Sequence, residues 1–182
     1  DFGGWRPGPG PHRDSQRTEA GGASAVDEFE FSFCSAGGEV ARISDAREVR
    51  PWIEGLAGPG ATVAVGEGVG PDYVPKTLSR AAPADADVGL SRATGGVAGT
   101  GSLILLSSDG RLTQLLPPLH VIVVDGSSVH RTLREALMAI GGELPSAVGL
   151  HSGPSKSADI GQVMVRGVHG PGRVVALVLT RT

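Results

Sequence analysis

The run His120-Val121-Ile122-Val123-Val124 decides the fold prediction, because it is the clearest strand in the sequence. Its apolar residues follow one another without a polar interruption, which is typical of a strand buried on both faces of a parallel sheet. Shorter apolar runs on either side predict further strands at residues Glu39–Ile43, 61–65, 88–90, 103–106, 147–150 and 174–179, and residues 112–116 are expected to continue the sheet.

Helices are predicted between these strands. Residues 129–140 carry apolar side chains at helical spacing, and Ser127 or Ser128 can serve as the N-cap. Further helices are predicted at residues 45–56, with Asp45 as N-cap, at residues 72–82 and at residues 155–165. The alternation of strands and helices predicts a three-layer α/β fold with a largely parallel sheet, in which ligands bind at the carboxyl ends of the strands.

Length and composition indicate one folded domain. The chain has 182 residues, which is enough for one hydrophobic core and short for two. Only 4% of the residues are aromatic while 40% are hydrophobic, so the core is expected to be aliphatic. Residues 1–24 are rich in Gly and Pro and lack an apolar period, which predicts a flexible arm before a single domain at residues 25–182.

Charge and cysteine content exclude several classes of protein. The net charge is −3, and the sequence lacks the excess of basic residues that is typical of a nucleic-acid-binding protein. Cys34 is the single cysteine, so the chain can neither form an internal disulfide nor ligate an iron–sulfur cluster by itself. No apolar run reaches the roughly 18 residues of a membrane span. The chain begins at Asp1 without a signal-peptide pattern, and we expect a cytoplasmic protein that is not exported.

The glycine-rich loop Gly66-Glu67-Gly68-Val69-Gly70 follows a predicted strand, where a dinucleotide fingerprint would lie. The fingerprint requires a glycine at position 71, and Pro71 stands there, so a tight loop is favoured over a nucleotide site. Glu67 remains a candidate cleft residue. The histidines His120 and His151 border strands without belonging to a metal-binding motif, and no metal site is predicted.

A second candidate site lies between residues 149 and 159. Lys156 lacks the preceding glycine of a phosphate-binding P-loop, which excludes that motif. The turn before the predicted helix at residues 155–165 would still offer N–H groups, hydroxyl groups and an ammonium group to a small anion. The alternative is that a serine only caps the helix and that Lys156 is solvated. The candidate binding residues here are Ser152, Gly153, Ser155, Lys156 and Asp159.

Two other segments could border the same site. Thr100, Gly101 and Ser102 lead into a predicted strand, where they could line a cleft or simply form a glycine turn. His169 lies beside Gly170 in a turn, where an imidazole could contact a ligand or merely face solvent. The predicted anion site therefore combines the turn at Thr100, the helix end at Lys156, and His169 at its rim.

Four segments in a fixed order carry a resemblance to a known family. Together they resemble the LUD domain, and within it the lactate-utilisation protein C group of bacteria. The segments are Thr100-Gly101-Ser102, Leu116-Pro117-Pro118-Leu119-His120-Val121-Ile122-Val123-Val124, Ser152-Gly153-Pro154-Ser155-Lys156-Ser157-Ala158-Asp159-Ile160 and Gly167-Val168-His169-Gly170-Pro171.

The resemblance implies a fold related to CoA-transferases and ribose-phosphate isomerases. It also implies an accessory role in the oxidation of L-lactate to pyruvate, beside a cysteine-rich subunit and a ferredoxin-like iron–sulfur subunit. The iron–sulfur clusters would then belong to the partners, and this chain would hold no cofactor. Two positions depart from the family pattern: Gly99 replaces an acidic residue, and Gly161 replaces a residue that is often polar. These departures favour a subunit without a complete active site of its own.

Two other functions remain open at this stage. Analogy of fold alone suggests an isomerase or acyl-transferase that acts on a phosphorylated or CoA-linked small molecule. Such an enzyme would turn over unaided, although the sequence offers no nucleophile with a paired base. A noncatalytic scaffold is the third hypothesis, in which residues 1–24 would dock to a partner.

Overall fold

Strand β7 confirms the central prediction. In the computed structural model, which describes residues 23–141, 145–158, 164–166 and 170–180, β7 spans Leu119–Asp125 and lies inside a six-stranded sheet. The helices are α1 (Ala25–Ser35), α2 (Val49–Ala57), α3 (Arg111–Leu115) and α4 (Leu133–Ala139). The strands are β1 (Glu39–Ile43), β2 (Thr62–Val65), β3 (Ser79–Arg80), β4 (Val88–Arg92), β5 (Gly95–Val97), β6 (Ser102–Leu106), β7, β8 (Val129–His130), β9 (Val148–His151), β10 (Lys156–Ala158), β11 (Met164–Arg166) and β12 (Arg173–Leu179).

The large sheet is parallel throughout, as the sequence predicts. Its strand order is β1-β12-β7-β4-β2-β3. Val121 of β7 pairs with Val175 of β12 on one side and with Leu90 of β4 on the other. Because all six strands run in one direction, the carboxyl ends of β2, β4 and β7 meet at the same edge of the sheet.

Both faces of this sheet are covered, which gives the three layers expected. On one face, Val49 and Ile53 of α2 pack with the buried side chains of β2, β4 and β7. On the other face, Phe29 and Phe33 of α1 pack together with β6 against β7 and β12. Among the buried hydrophobic residues that the structure describes, the aromatic ones are these two stacked phenylalanines and Tyr73, and the others are aliphatic.

A smaller sheet forms part of that second covering layer. Its strand order is β8-β5-β6-β9, and β6 runs antiparallel to both of its neighbours. Ser102 begins β6 and Leu106 ends it, so these two residues lie about 13 Å apart along the strand. A separate pair, β10 and β11, is antiparallel.

Two predicted elements between β2 and β7 are wrong. The helix predicted at residues 72–82 is replaced by one 3₁₀ turn, Pro71–Tyr73, and by β3. Pro75 explains this difference, because proline lacks the N–H group that a helix interior needs. The strand predicted at residues 112–116 is instead α3, whose Thr113 carbonyl lies 2.3 Å from where a Cβ atom on Gly89 would stand. Because Gly89 has no side chain, helix α3 can pack directly against β4.

The helix predicted at residues 155–165 is also wrong, because β10 and β11 form paired strands there. Gly161 lies between them, and a glycine in a helix interior costs about 1 kcal/mol relative to alanine. Helix α1 lies in a region where no helix was predicted. Its signal in the sequence is the reciprocal cap in which Ser24 accepts a hydrogen bond from the Asp27 N–H group and donates one to its carboxylate.

The predicted arm at residues 1–24 lies outside the described residues except for Ala23 and Ser24. Within the described part of the chain, no helix combines the length and the hydropathy that crossing a membrane requires.

Helix α4 begins four residues later than the sequence prediction at 129. Thr132, rather than Ser127 or Ser128, is its N-cap: the Thr132 hydroxyl group accepts from the Glu135 N–H group, and the Glu135 carboxylate accepts from the Thr132 N–H group.

We expect Thr132→Ala to lower the free energy of unfolding by about 1 kcal/mol, because it removes this cap. Urea unfolding measures the change. Ser128→Ala is the control, and an equal loss there would contradict the observed start of the helix.

Candidate functional site

A cleft of about 560 Å³ opens at the carboxyl edge of the parallel sheet. It lies where β2, β4 and β7 end, which is the position that the sequence predicts for ligands in this class of fold. The cleft is lined by Glu67, Gly68, Arg92, Ala93, Thr94, Leu106, Ser108, Asp109, Asp125 and Ser128. Glu67 thus lies in a cleft, as the sequence suggests.

Asp109 is the most buried charged residue of this lining, with 5% of its surface exposed. It belongs to the 3₁₀ turn Ser107–Asp109 that follows β6, and its Oδ1 atom accepts a hydrogen bond from the Gly68 N–H group. A Cβ atom on Gly66 or Gly68 would stand 2.6 Å from an oxygen of this carboxyl group. The glycine-rich loop therefore makes room for Asp109, which explains those two glycines without a nucleotide.

Burial raises the pKa of the Asp109 carboxyl group above its ordinary value, and the nearby charge of Glu67 adds to the increase. Three groups act in the opposite direction: the N–H groups of Gly68 and Arg92 and the hydroxyl group of Ser91. The Oδ2 atom is buried and has no hydrogen bond of normal geometry to a described residue. The cleft therefore contains a carboxyl group that gains a proton more readily than an exposed aspartate.

Beneath Asp109, a pair of polar side chains crosses the sheet from β4 to β7. The Ser91 hydroxyl oxygen lies 3.0 Å from Nε2 of His120, and both residues are fully buried. Burial, followed by the neighbouring His151, lowers the pKa of His120 to about 3. The two imidazole rings meet edge to face with centroids 5.9 Å apart. His120 is therefore a neutral core residue.

Arg92 supplies the positive charge of the cleft and is the one cation among the described lining residues. Its guanidinium carbon lies 5.9 Å from the centroid of the Tyr73 ring, and Arg92 forms no ion pair with any described residue. A guanidinium group that lines a cleft without a carboxylate partner can bind an anion by paired hydrogen bonds.

Sequence reasoning missed Arg92, Asp109 and Asp125 as cleft residues. Arg92 and Asp125 carried a usable signal, because each is a charged residue at the end of a strand whose preceding residues are buried. Asp109 carried none, since its place depends on the two glycines of a loop more than forty residues earlier, at Gly66 and Gly68.

The structure joins three of the predicted anion-binding residues through their hydroxyl groups. The oxygen atoms of Thr100 and Ser102 lie 2.9 Å apart, and those of Ser102 and Ser152 lie 2.7 Å apart. Gly101, between the first two, adopts a positive φ of 57° and packs against the backbone of α1. This hydroxyl cluster, Thr100–Ser102–Ser152, lies at the start of β6, at the end of the strand opposite to the cleft.

The segment around Lys156 is held against the end of α1. The Lys156 ammonium group donates a hydrogen bond to the carbonyl oxygen of Ala36, which is the C-cap of that helix. The backbone N–H group of Ser155 donates to the Pro171 carbonyl over 2.9 Å, and Gly153 turns with a φ of 112° beside Ala36. The helix end predicted to attract an anion here is absent, because the chain continues as β10. Asp159 and His169 lie outside the described residues.

Metal ligation has no support in the described part of the chain, where no three His, Cys, Asp or Glu side chains form a group that could hold an ion. Cys34 is a free, exposed cysteine.

Comparison with known proteins identifies several relatives. The model of the LUD domain matches residues 75–179. An uncharacterised protein of Neisseria meningitidis is 38% identical over 51% of this chain and 42% of its own length. Lactate utilization protein C of Halalkalibacterium halodurans is 39% identical over 52% of this chain and 44% of its own length. The matches thus span less than half the length of these relatives.

One solved structure shows the same fold. A DUF162 family protein from Deinococcus radiodurans superposes with a TM-score of 0.66, at 23% identity, over 86% of this chain and 96% of its own. This similarity supports the α/β architecture described above.

Proposed function

The chain belongs to the LUD domain family, and from this membership we propose that it is an accessory protein of L-lactate utilisation whose cleft binds a small carboxylate. Relatives that bear the name lactate utilization protein C support the pathway. On this proposal the chain works in the cytoplasm beside cysteine-rich and ferredoxin-like iron–sulfur subunits, and it carries no cofactor itself. Oxidation of lactate to pyruvate would transfer its electrons to those partners.

The observation that carries the binding proposal is the unpaired guanidinium group of Arg92 in a cleft at the carboxyl edge of the sheet. A carboxylate can accept two parallel hydrogen bonds from a guanidinium group. The hydroxyl groups of Thr94, Ser108 and Ser128 line the same cleft and could hydrogen-bond the rest of a small hydroxy or oxo acid.

The hydroxyl cluster and Lys156 remain the second predicted anion site. Their geometry favours this site less, because the Lys156 ammonium group is already bound to the Ala36 carbonyl. The hydroxyl groups of the cluster are likewise bound to one another. Binding measurements on variants of the two sites separate them directly.

We expect Arg92→Gln to weaken binding of L-lactate and pyruvate by tenfold or more, because it removes the charge that pairs with the carboxylate. Isothermal titration calorimetry on the full chain measures the affinity. Arg134→Gln, which removes an exposed charge on α4, is the matched control and should leave binding unchanged.

Lys156→Ala distinguishes the two sites. Loss of carboxylate binding in Lys156→Ala with retention in Arg92→Gln would move the ligand to the hydroxyl cluster. Failure of the unaltered chain to bind any small carboxylate would contradict the binding proposal, and selective binding of a sugar phosphate or CoA would favour the isomerase or acyl-transferase hypothesis. The partner proposal has its own test: iron and acid-labile sulfide should co-purify with the tagged chain from a lactate-grown bacterium.

A further inference from the structure

The cleft is crowded with acidic groups for a site that accepts an anion. Glu67, Asp109 and Asp125 line it together with Arg92, the one cation that the structure describes there. A bound carboxylate would add another negative charge close to these three groups and would displace water from them. Both effects disfavour the ionised form of the least solvated carboxyl group. That group is Asp109, since Glu67 is exposed and Asp125 is only half-buried.

Asp109 lies at one end of a buried polar chain that continues through Ser91 to His120. The Ser91 hydroxyl group acts on the Asp109 carboxyl group and lies 3.0 Å from Nε2 of His120. Among the described residues, two buried side-chain polar atoms lack a hydrogen-bond partner. These atoms are Oδ2 of Asp109 and Nδ1 of His120, one at each end of this chain. Buried polar atoms are rarely left unpaired, and where they are, a second state of the site is a natural explanation.

The hydrogen-bonded series Asp109–Ser91–His120 can accommodate either protonation state of Asp109. With the carboxylate ionised, His120 donates from Nε2 to Ser91, and the Ser91 hydroxyl group points toward Asp109. With the carboxylic acid neutral, the acid donates to Ser91, and the Ser91 hydroxyl group donates to an unprotonated Nε2 of His120, which then carries its hydrogen on Nδ1. Hydroxyl and neutral imidazole groups are both donors and acceptors, so this reversal keeps His120 uncharged.

We propose that binding of a carboxylate in this cleft is coupled to the uptake of one proton by Asp109, and that the Ser91–His120 pair reverses its hydrogen bond to accommodate the neutral acid. The inference rests on the proposed function, because it requires an anionic ligand. The net change is one proton gained from solvent at Oδ2 of Asp109. The reversal also exchanges the Nε2–H bond of His120 for an Nδ1–H bond, which leaves the imidazole neutral. The cleft would thereby bind the ligand without accumulating its charge.

The charged and titratable groups around Asp109 set the direction of the effect. Glu67 on the glycine loop opposes its ionisation, whereas the N–H groups of Gly68 and Arg92 and the Ser91 hydroxyl group favour it. Asp125, at the end of β7, and the Arg92 guanidinium group are the other charges that line the cleft. His120 and His151 beyond Ser91 are neutral and contribute no charge at neutral pH. A bound carboxylate adds a negative charge to the cleft and disfavours the ionised form of Asp109, so binding and protonation assist each other.

Calorimetry in buffers of different ionisation enthalpy measures the protons taken up when propionate or L-lactate binds. Between about pH 5.5 and 8 both ligands remain ionised, so uptake must come from the protein. We expect close to one proton where free Asp109 is ionised, and an affinity that falls about tenfold for each unit of rising pH there. In Asp109→Asn, which imitates the neutral acid, the uptake should vanish and the affinity should become independent of pH.

Two further variants test the proposal. Ser91→Ala removes the acceptor of the neutral acid, and we expect it to reduce proton uptake and to weaken binding most at the acidic end of the range. Glu48→Gln, which removes an exposed carboxylate that does not line the cleft, should leave the uptake unchanged. Ligand binding without proton uptake in the unaltered chain would overturn this inference alone. Absence of carboxylate binding at every pH would overturn the proposed function as well.

Discussion

Replacing Gly101 by alanine should lower the free energy of unfolding by about 3–5 kcal/mol. Gly101 has a φ of 57°, a left-handed conformation that costs other L-residues roughly 1–2 kcal/mol. A Cβ atom there would also stand 2.4 Å from the backbone nitrogen of Phe33. Helix α1 would have to move, and the buried ring of Phe33, stacked on Phe29, would lose part of its packing against β7 and β12.

Urea unfolding followed by circular dichroism measures this loss. Gly55→Ala provides a control of opposite sign, because Gly55 lies inside α2 and a Cβ atom there meets nothing within 4 Å. Alanine at that position should raise stability by about 0.5–1 kcal/mol. If Gly101→Ala costs less than about 1 kcal/mol, the close packing of this turn on α1 is contradicted. The experiment also shows whether Gly101, predicted from sequence as a binding residue, is needed for folding.

The strands of the parallel sheet were predictable because their signal is local. β7 and β12 are buried on both faces, so an unbroken apolar run marks each of them in the sequence. Failures occur where a distant residue decides the local structure. The apolar residues of α3 can suit either a strand or a helix. A helix forms there because Gly89, in β4, leaves space for it. The segment around Lys156 shows the same limit, since pairing with β11 overrides its helical pattern.

The sequence predicts the location of the candidate site but only some of its residues. A parallel sheet directs ligands to its carboxyl edge, and Glu67 follows a strand that ends there. The hydroxyl cluster was recognised by its motifs, and the structure joins its members, but at the opposite end of β6. Asp109 reaches the cleft through a turn that packs on Gly66 and Gly68. Such an approach between loops has no periodicity in the sequence that could predict it.

Lowering the pH from about 6.5 to about 4 should cost the protein about 3 kcal/mol of stability through His120 alone. The folded protein keeps His120 neutral because burial lowers its pKa to about 3, whereas the unfolded chain takes up a proton near pH 6.5. The unfolded state therefore binds more protons throughout this interval, and stability falls as the pH falls. Burial also lowers the pKa of His151, which acts in the same direction. Asp109 acts in the opposite direction, because its raised pKa makes the folded state the better proton acceptor in acid.

A comparison of His120→Gln with the unaltered chain isolates this contribution from the other groups that titrate in acid. Glutamine can still hydrogen-bond Ser91 but does not titrate, so the variant should be less stable than the unaltered chain near neutral pH, through imperfect packing, and should lose about 3 kcal/mol less on acidification. Urea unfolding at about pH 7 and about pH 4 gives the four free energies required. Equal losses in both proteins would mean that His120 gains a proton in the folded state, contrary to its burial between β4 and the smaller sheet. Since the same imidazole ends the polar chain from Asp109, it would then be charged in acid, and the proposed reversal with a neutral His120 could not operate there.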